Sequence, residues 1–473
     1  MKTKKYLVAG LLLASMSMPA MAQTSQSDID AITKVIVDAK GDVNATKAQV
    51  KDFQKAHKKD LAATIALGRA FMAAKNYEQA ELIANQAMKL NKNSAEPYIL
   101  LGDIASAQDD GGKAAGYYEQ GTFYEPQNPT SYVKYARVYQ KVDPKGAVAM
   151  LEKLRTVKPD YPVDAAAGYM YASNGQLKSA MTYYDKVQNP STLEDYILMD
   201  YASTAYVLED FDKAVKLCEV GLKTYPKYTS FNRVGLYSSD KLKKYDAAVA
   251  YGQKLFNTSD TIKYTVNDYT YYGDALTNLG RYDEAVANYK HLSEADASNK
   301  DANKLISGVY TKAGKFQEAV AAYEQYLQDI GDAATYKDYD SFADIYLAQS
   351  ESTTDEAAKK AAFVKAAEVY GKMAEKFDYA AVYGLYKQAN FMHASDPDVK
   401  KGVALPYYKA LAEKIEAQAE KSASDQNKLA TAYTYLAVHY IQNDRKAEAK
   451  EWAAKLLQIR PDDANAKQIM DVK

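Results

Sequence analysis

The chain has 473 residues, 47% hydrophobic and 26% charged, an ordinary globular balance with ample material for a core. Lys plus Arg is 60 and Asp plus Glu is 61, a net charge of −1, so the basic footprint that nucleic-acid binding usually needs is missing. The single cysteine, Cys218, excludes an internal disulfide and reads as a buried core thiol, while tyrosine is the outlier at 43 residues.

Met1 to Ala22 reads as a secretory signal peptide. Lys2, Lys4 and Lys5 form its basic start, YLVAGLLLASMSM its apolar run, and Ala20-Met21-Ala22 its cleavage pattern. Cleavage leaves Gln23 as the new terminus and shifts the net charge from −1 to −4. The apolar run is too short for a spanning helix. No cysteine follows it, so the pattern of a lipid-modified exported protein is missing. No later stretch approaches the roughly 20 apolar residues of a membrane span. The expectation is an exported, periplasmic protein without a membrane span.

Residues 23–60 follow as a polar tether to Ser27 and two capping helices. Ile29, Ile32, Val35 and Ile36 form a helical stripe, Gly41 interrupts it, and Val43 to His57 resumes. Residues 61–256 hold six similar helix pairs, beginning with Leu67, Gly68, Phe71, Tyr77, Ala80 and Ala87. Gly102 follows Gly68 at a distance of 34 residues. The stretch NTSDTIKYTV, about 257–265, is polar and reads as a loop. Within it, Asp260-Thr261-Ile262 resembles the O-glycosylation site of periplasmic Bacteroidetes proteins.

Residues 266–335 hold the clearest pair of copies. In YYGDALTNLGRYDEAVANYKHLSEAD and LISGVYTKAGKFQEAVAAYEQYLQD, Gly280 falls on Gly314, Tyr282 on Phe316, Ala285 on Ala319 and Tyr289 on Tyr323, again 34 apart. Residues 336–429 are irregular, with a turn swollen by ESTTDEAAKK. Pro406 in the second helix predicts a kink or a later start, that helix running on towards Lys421. SASDQ reads as a linker. Residues 430–473 close the chain with a last pair, marked by Ala437, Tyr440, Ala449 and Ala453, and a final helix.

The 34-residue period, with small and aromatic residues in these places, resembles the tetratricopeptide repeat family over about nine-tenths of the mature chain. The resemblance implies an all-α fold, an α-solenoid of about eleven helix-turn-helix repeats wound into a right-handed superhelix. Gly280 is then the left-handed cap of the first helix. Gly273 allows the paired backbones to approach, Ala285 sits where the helices cross, and Tyr289 fills the seam to the next repeat.

Nothing in the sequence asks for catalysis or a cofactor. His57, His291, His393 and His439 fall in separate repeats, so metal spacing is missing. HExxH, GxSxG and phosphate-binding glycine loops are missing too. Asp109-Asp110 and Asp462-Asp463 sit in turns, where carboxylates start helices or face water.

The resemblance also implies a concave groove lined by the first helices at their positions 2, 5, 9 and 12. Position 9 carries Arg69, Asp103, Arg137, Tyr169, Ser203, Tyr237 and Asp274. Position 12 adds Gln140 and Tyr206, position 5 adds Arg233, and position 2 adds Tyr196. The partner-binding candidates are therefore Arg69, Arg137, Tyr169, Tyr196, Tyr206, Arg233, Tyr237 and Asp274, since Tyr and Arg are favoured at interface hot spots. The alternative for several of these tyrosines is inter-helix packing. The family's lysine-and-asparagine peptide clamp is not matched, because positions 5 and 9 of the first repeat are Ile65 and Arg69. Two functions follow: a non-enzymatic scaffold that binds a protein or peptide within a cell-envelope assembly or secretion complex, or a module that holds glycan or another polymer on the tyrosine face.

Overall fold

The computed structural model describes residues 26–259 and 263–473. The proposed signal peptide and Asp260-Thr261-Ile262 lie outside the described residues. Among those residues are 25 α-helices and no strand. The all-α solenoid of stacked helix pairs expected from the repeat is what the chain forms.

The chain divides into two compact units, Met1–Gly221 and Leu222–Lys473. In the first unit α1 (Gln26–Asp38) and α2 (Val43–Ala56) precede the repeats. The pairs are α3 (Leu61–Ala73) with α4 (Tyr77–Leu90), α5 (Glu96–Ala107) with α6 (Gly111–Tyr124), and α7 (Pro129–Tyr139) with α8 (Pro144–Val157). Then come α9 (Val163–Ser173) with the short α10 (Leu177–Tyr184), and α11 (Asp195–Val207) with α12 (Phe211–Thr224).

In the second unit α13 (Thr229–Lys241) pairs with α14 (Tyr245–Thr258), α15 (Val266–Asn278) with α16 (Tyr282–Ala295), and α17 (Ala302–Lys312) with α18 (Phe316–Ile330). The irregular stretch forms α19 (Tyr336–Glu351), α20 (Glu356–Lys376), α21 (Ala381–Ser395) and α22 (Leu405–Glu416). The chain closes with α23 (Ala423–Gln442), α24 (Lys446–Ile459) and α25 (Ala464–Met470).

Short polar side chains start the helices. Asp42, Asp60, Asn76, Asp110, Asn128 and Asp143 each accept a backbone N–H of the helix they precede. Each regular turn then needs one residue in the left-handed region. Gly175, Gly280 and Gly314 fill it at no steric cost, with φ of 71°, 73° and 72°. In other repeats Lys75, Asp109, Glu209, Lys243 and Asp444 hold the same position at φ between 57° and 63°.

Small residues on the first helices make room for rings rather than for backbone. A Cβ on Gly102, Gly168 or Gly273 would run into the ring of Tyr118, Tyr184 or Tyr289, on the second helix of the same repeat. Tyr289 thus fills its own repeat instead of the seam beyond it, and its hydroxyl returns to Thr270 O and Asp274 of α15. Ala285 and Cys218 are fully buried. Burial pushes the Cys218 thiol well above its ordinary pKa.

Two further expectations are corrected in the second unit. SASDQ is not a linker: Ser422 caps α23 in a reciprocal box with Asp425. The second helix of the preceding pair stops at Glu416, short of Lys421, and Pro406 sits in its first turn, where a missing N–H costs nothing.

Candidate functional site

Most of the tyrosine excess is spent inside the molecule. The Tyr118 hydroxyl donates to Asp103 Oδ1 at 2.8 Å, and Lys134 Nζ reaches the same oxygen at 2.6 Å. Tyr201 and Lys213 meet on Asp185 Oδ1, both at 2.8 Å. In the second unit Tyr326 and Lys304 meet on Asp338 at 2.9 and 3.2 Å, and Tyr433 and Lys455 on Glu416 at 2.6 and 2.9 Å. Tyr370 and Tyr383 share Asp340 Oδ1 at 2.7 and 2.9 Å, with Lys387 Nζ 5.6 Å from each ring centre. The unit is a tyrosine, a carboxylate and a cation. The phenol finds an acceptor where water is excluded, and the cation offsets the charge that accepts it. Burial first, and then the bond to Asp340, push the Tyr383 hydroxyl up to about 12.

Several groove candidates belong to this internal chemistry. The Arg233 fork grips Asp268 through Nε–Oδ1 at 2.7 Å and Nη2–Oδ2 at 2.8 Å. The Tyr237 hydroxyl donates to the same carboxylate at 2.6 Å, and its ring stacks on Tyr271 at 4.5 Å. Asp268 is 0% exposed and Tyr237 8%, so this cluster is core. Asp274 accepts the Tyr289 hydroxyl at 2.9 Å; burial raises its pKa, and that bond opposes the rise. Arg69 forms an exposed pair with Glu96 at 3.1 Å, and Tyr206 lies half-buried on the Phe211 ring, centres 5.7 Å apart. One acid at position 12, Asp240, escaped the sequence reading. Its buried Oδ1 has no hydrogen-bond partner. Burial, and then repulsion from Asp274, push its carboxyl up to about 6 against the pull of Lys241.

In the first unit the structure brings three candidates together and adds a fourth residue. Tyr169 on α9 and Tyr196 on α11 meet edge to face, centres 5.3 Å apart, and stay 37% and 41% exposed. Tyr161, in the turn before α9, joins them. Burial raises the pKa of Tyr161 and of Tyr196, and the positive charge of exposed Arg137 on α7 opposes the rise at both. Among the described residues Arg137 makes no ion pair, and none of the three hydroxyls has a hydrogen-bond partner. The nearby acids are engaged: Asp164 holds the Arg155 fork at 2.6 and 3.0 Å, and Asp195 accepts the Tyr196 N–H at 2.7 Å. Glu194 stands at one edge, close enough to raise the Tyr196 hydroxyl further. The result is a surface of one exposed guanidinium, two part-exposed phenols and a half-buried third, with Glu194 at its edge.

The tetratricopeptide repeat profile matches residues 273–335. The same turn, the same ring-over-glycine packing and the same period recur on either side of that segment. Residues 273–335 are tetratricopeptide repeats. Within each unit the helix pairs stack on their neighbours. No curated protein matches the chain. Among solved structures it resembles the C-terminal part of a TPR repeat-containing protein from Cytophaga hutchinsonii, at 22% identity over 58% of this chain and 100% of that one, TM-score 0.41. It also resembles a tetratricopeptide repeat protein from Parabacteroides merdae (19% identity, 58% of this chain, 93% of that one, TM-score 0.32). A third is PilF of Pseudomonas aeruginosa, at 17% identity over 42% and 92%, TM-score 0.34. Among the described residues no group of three or more His, Cys, Asp or Glu is placed to hold a metal, and no helix is long and apolar enough to cross a membrane.

Proposed function

We propose that this tetratricopeptide repeat protein is a non-enzymatic scaffold that holds a partner protein or peptide on the first-helix face of its first unit. One observation carries the reading. At Asp103, Asp185, Asp338, Asp340 and Glu416 phenols and cations meet on carboxylates of the chain, whereas Arg137, Tyr169 and Tyr196 are exposed, with half-buried Tyr161 beside them. Tyrosine and arginine at an exposed face supply broad contact area at low entropic cost and a planar fork for hydrogen bonding. The amino-terminal segment 1–22 supports export to the periplasm, and the scaffold would there serve a cell-envelope assembly or secretion complex.

Two measurements test this. Affinity purification of the tagged chain from its native host, wild type against the Tyr169→Ala, Tyr196→Ala double variant, should show partner recovery falling about tenfold or more. Both side chains are open, so the melting temperature should hardly move. Undiminished recovery of the same partner would place binding elsewhere. Intact mass of the native protein should correspond to a chain starting at Gln23; a chain that retains Met1 would remove the export argument.

A further inference from the structure

We infer that the Arg137 face takes a single acidic side chain of its partner, an Asp or Glu within an extended segment whose neighbours are uncharged. The inference rests on the reading of that face as the partner site. Inside the molecule one arrangement is repeated: a phenol and a cation converge on a carboxylate, as at Tyr118, Lys134 and Asp103, or at Tyr201, Lys213 and Asp185. At Arg137 the cation and the phenols are present, and among the described residues no hydrogen bond or ion pair ties Arg137 to a carboxylate. A carboxylate from outside completes the set. The guanidinium can bind it with two parallel N–H bonds, and the hydroxyls of Tyr161, Tyr169 and Tyr196 supply further donors.

The surroundings narrow the ligand. Tyr169 and Tyr196 present ring faces beside the charge, which suits apolar or aromatic residues flanking the acid. Glu194 and Asp195 stand at the Tyr196 edge, so a run of acids would meet like charge there. The face is drawn from α7, α9 and α11. A side-chain acid with uncharged neighbours on both sides meets the guanidinium and keeps like charge away from Glu194 and Asp195.

The test is fluorescence anisotropy with the full chain and a labelled, end-blocked peptide, Ala-Leu-Tyr-Glu-Leu-Tyr-Ala, beside its counterpart with Gln for Glu. The Glu peptide should bind about tenfold tighter or more, the scale of a charge-assisted hydrogen-bonded pair. Arg137→Gln should abolish the difference. Arg137→Lys should keep part of it, since lysine keeps the charge and loses the fork. Tyr196→Phe, which keeps the ring and removes the hydroxyl, should weaken the Glu peptide alone. Melting curves of each variant establish that the fold is intact. Equal affinity for the two peptides, a preference that survives Arg137→Gln, or no binding at millimolar peptide overturns the inference. So does tetragalacturonate binding more tightly than the Glu peptide through Arg137, which would make the acid a uronate. These failures leave standing a loss of partner recovery in the Tyr169, Tyr196 double variant, so the two readings fall separately.

Discussion

Replacing Asp240 with asparagine is expected to stabilise the second unit at neutral pH and to do much less at pH 4. The carboxyl of Asp240 rises from 3.8 to about 6, first through burial and then through Asp274. A folded-state pKa above the unfolded one means that ionising the group penalises the fold. The penalty is nil below about pH 4, grows as pH rises to about 6, and is complete above it. Roughly two pKa units at about 1.4 kcal/mol each set an upper bound of about 3 kcal/mol, and solvent screening of this half-buried group brings the expected gain to about 1–2 kcal/mol at pH 7.5. Asparagine has nearly the same shape and no charge, and Oδ1 loses no internal bond because it has none. The assay is denaturant unfolding at pH 4.0, 5.0 and 7.5. Fluorescence of Trp452, the one tryptophan of the chain, reports from the second unit. Hydrogen exchange should place the gain on α13 to α16. A gain of equal size at pH 4.0 and 7.5, or none at 7.5, would refute the assignment of the strain to the charge.

Gly102→Ala should destabilise by about 1–3 kcal/mol, because the added methyl runs into the Tyr118 ring and strains its bond to Asp103; thermal melting reads it, and the opposite sign is usual for this change in an exposed helix. Glu209→Gly should stabilise by about 0.5–1 kcal/mol, since φ of 63° costs a side chain more than glycine loses in chain entropy. Tyr237→Phe should cost about 1–2 kcal/mol with no loss of partner recovery, because its hydroxyl serves buried Asp268, which Arg233 still holds.

The helices and their period were legible because a solenoid repeats its packing, and the residues that pack must repeat with it. Gly280 and Gly314 announced their turns. Asp109, Glu209 and Lys243 did not, since a charged residue in the left-handed region has no compositional mark. The groove was harder. Arg137 and Arg233 look alike in sequence, as do Tyr169 and Tyr237, and only burial and partners separate them. The distinguishing signal is the charge one repeat away. Asp268 follows Arg233 by 35 residues and Asp338 follows Lys304 by 34, so those cations are consumed. One period beyond Arg137 stand Tyr171 and Ala172, and one period before it Asp103 is taken by Tyr118 and Lys134. An opposite charge one period away engages Arg233 and Lys304, whereas the acid one period from Arg137 is already held by Tyr118 and Lys134.

Photo-crosslinking in the native host tests the Arg137 face. A benzoyl-phenylalanine placed at Tyr169 and, separately, at Tyr196 should capture the same discrete protein species. One placed at Phe123, 77% exposed on the second helix α6, should capture none of it. Capture from Phe123 with none from Tyr169 or Tyr196 would contradict the assignment of the partner face.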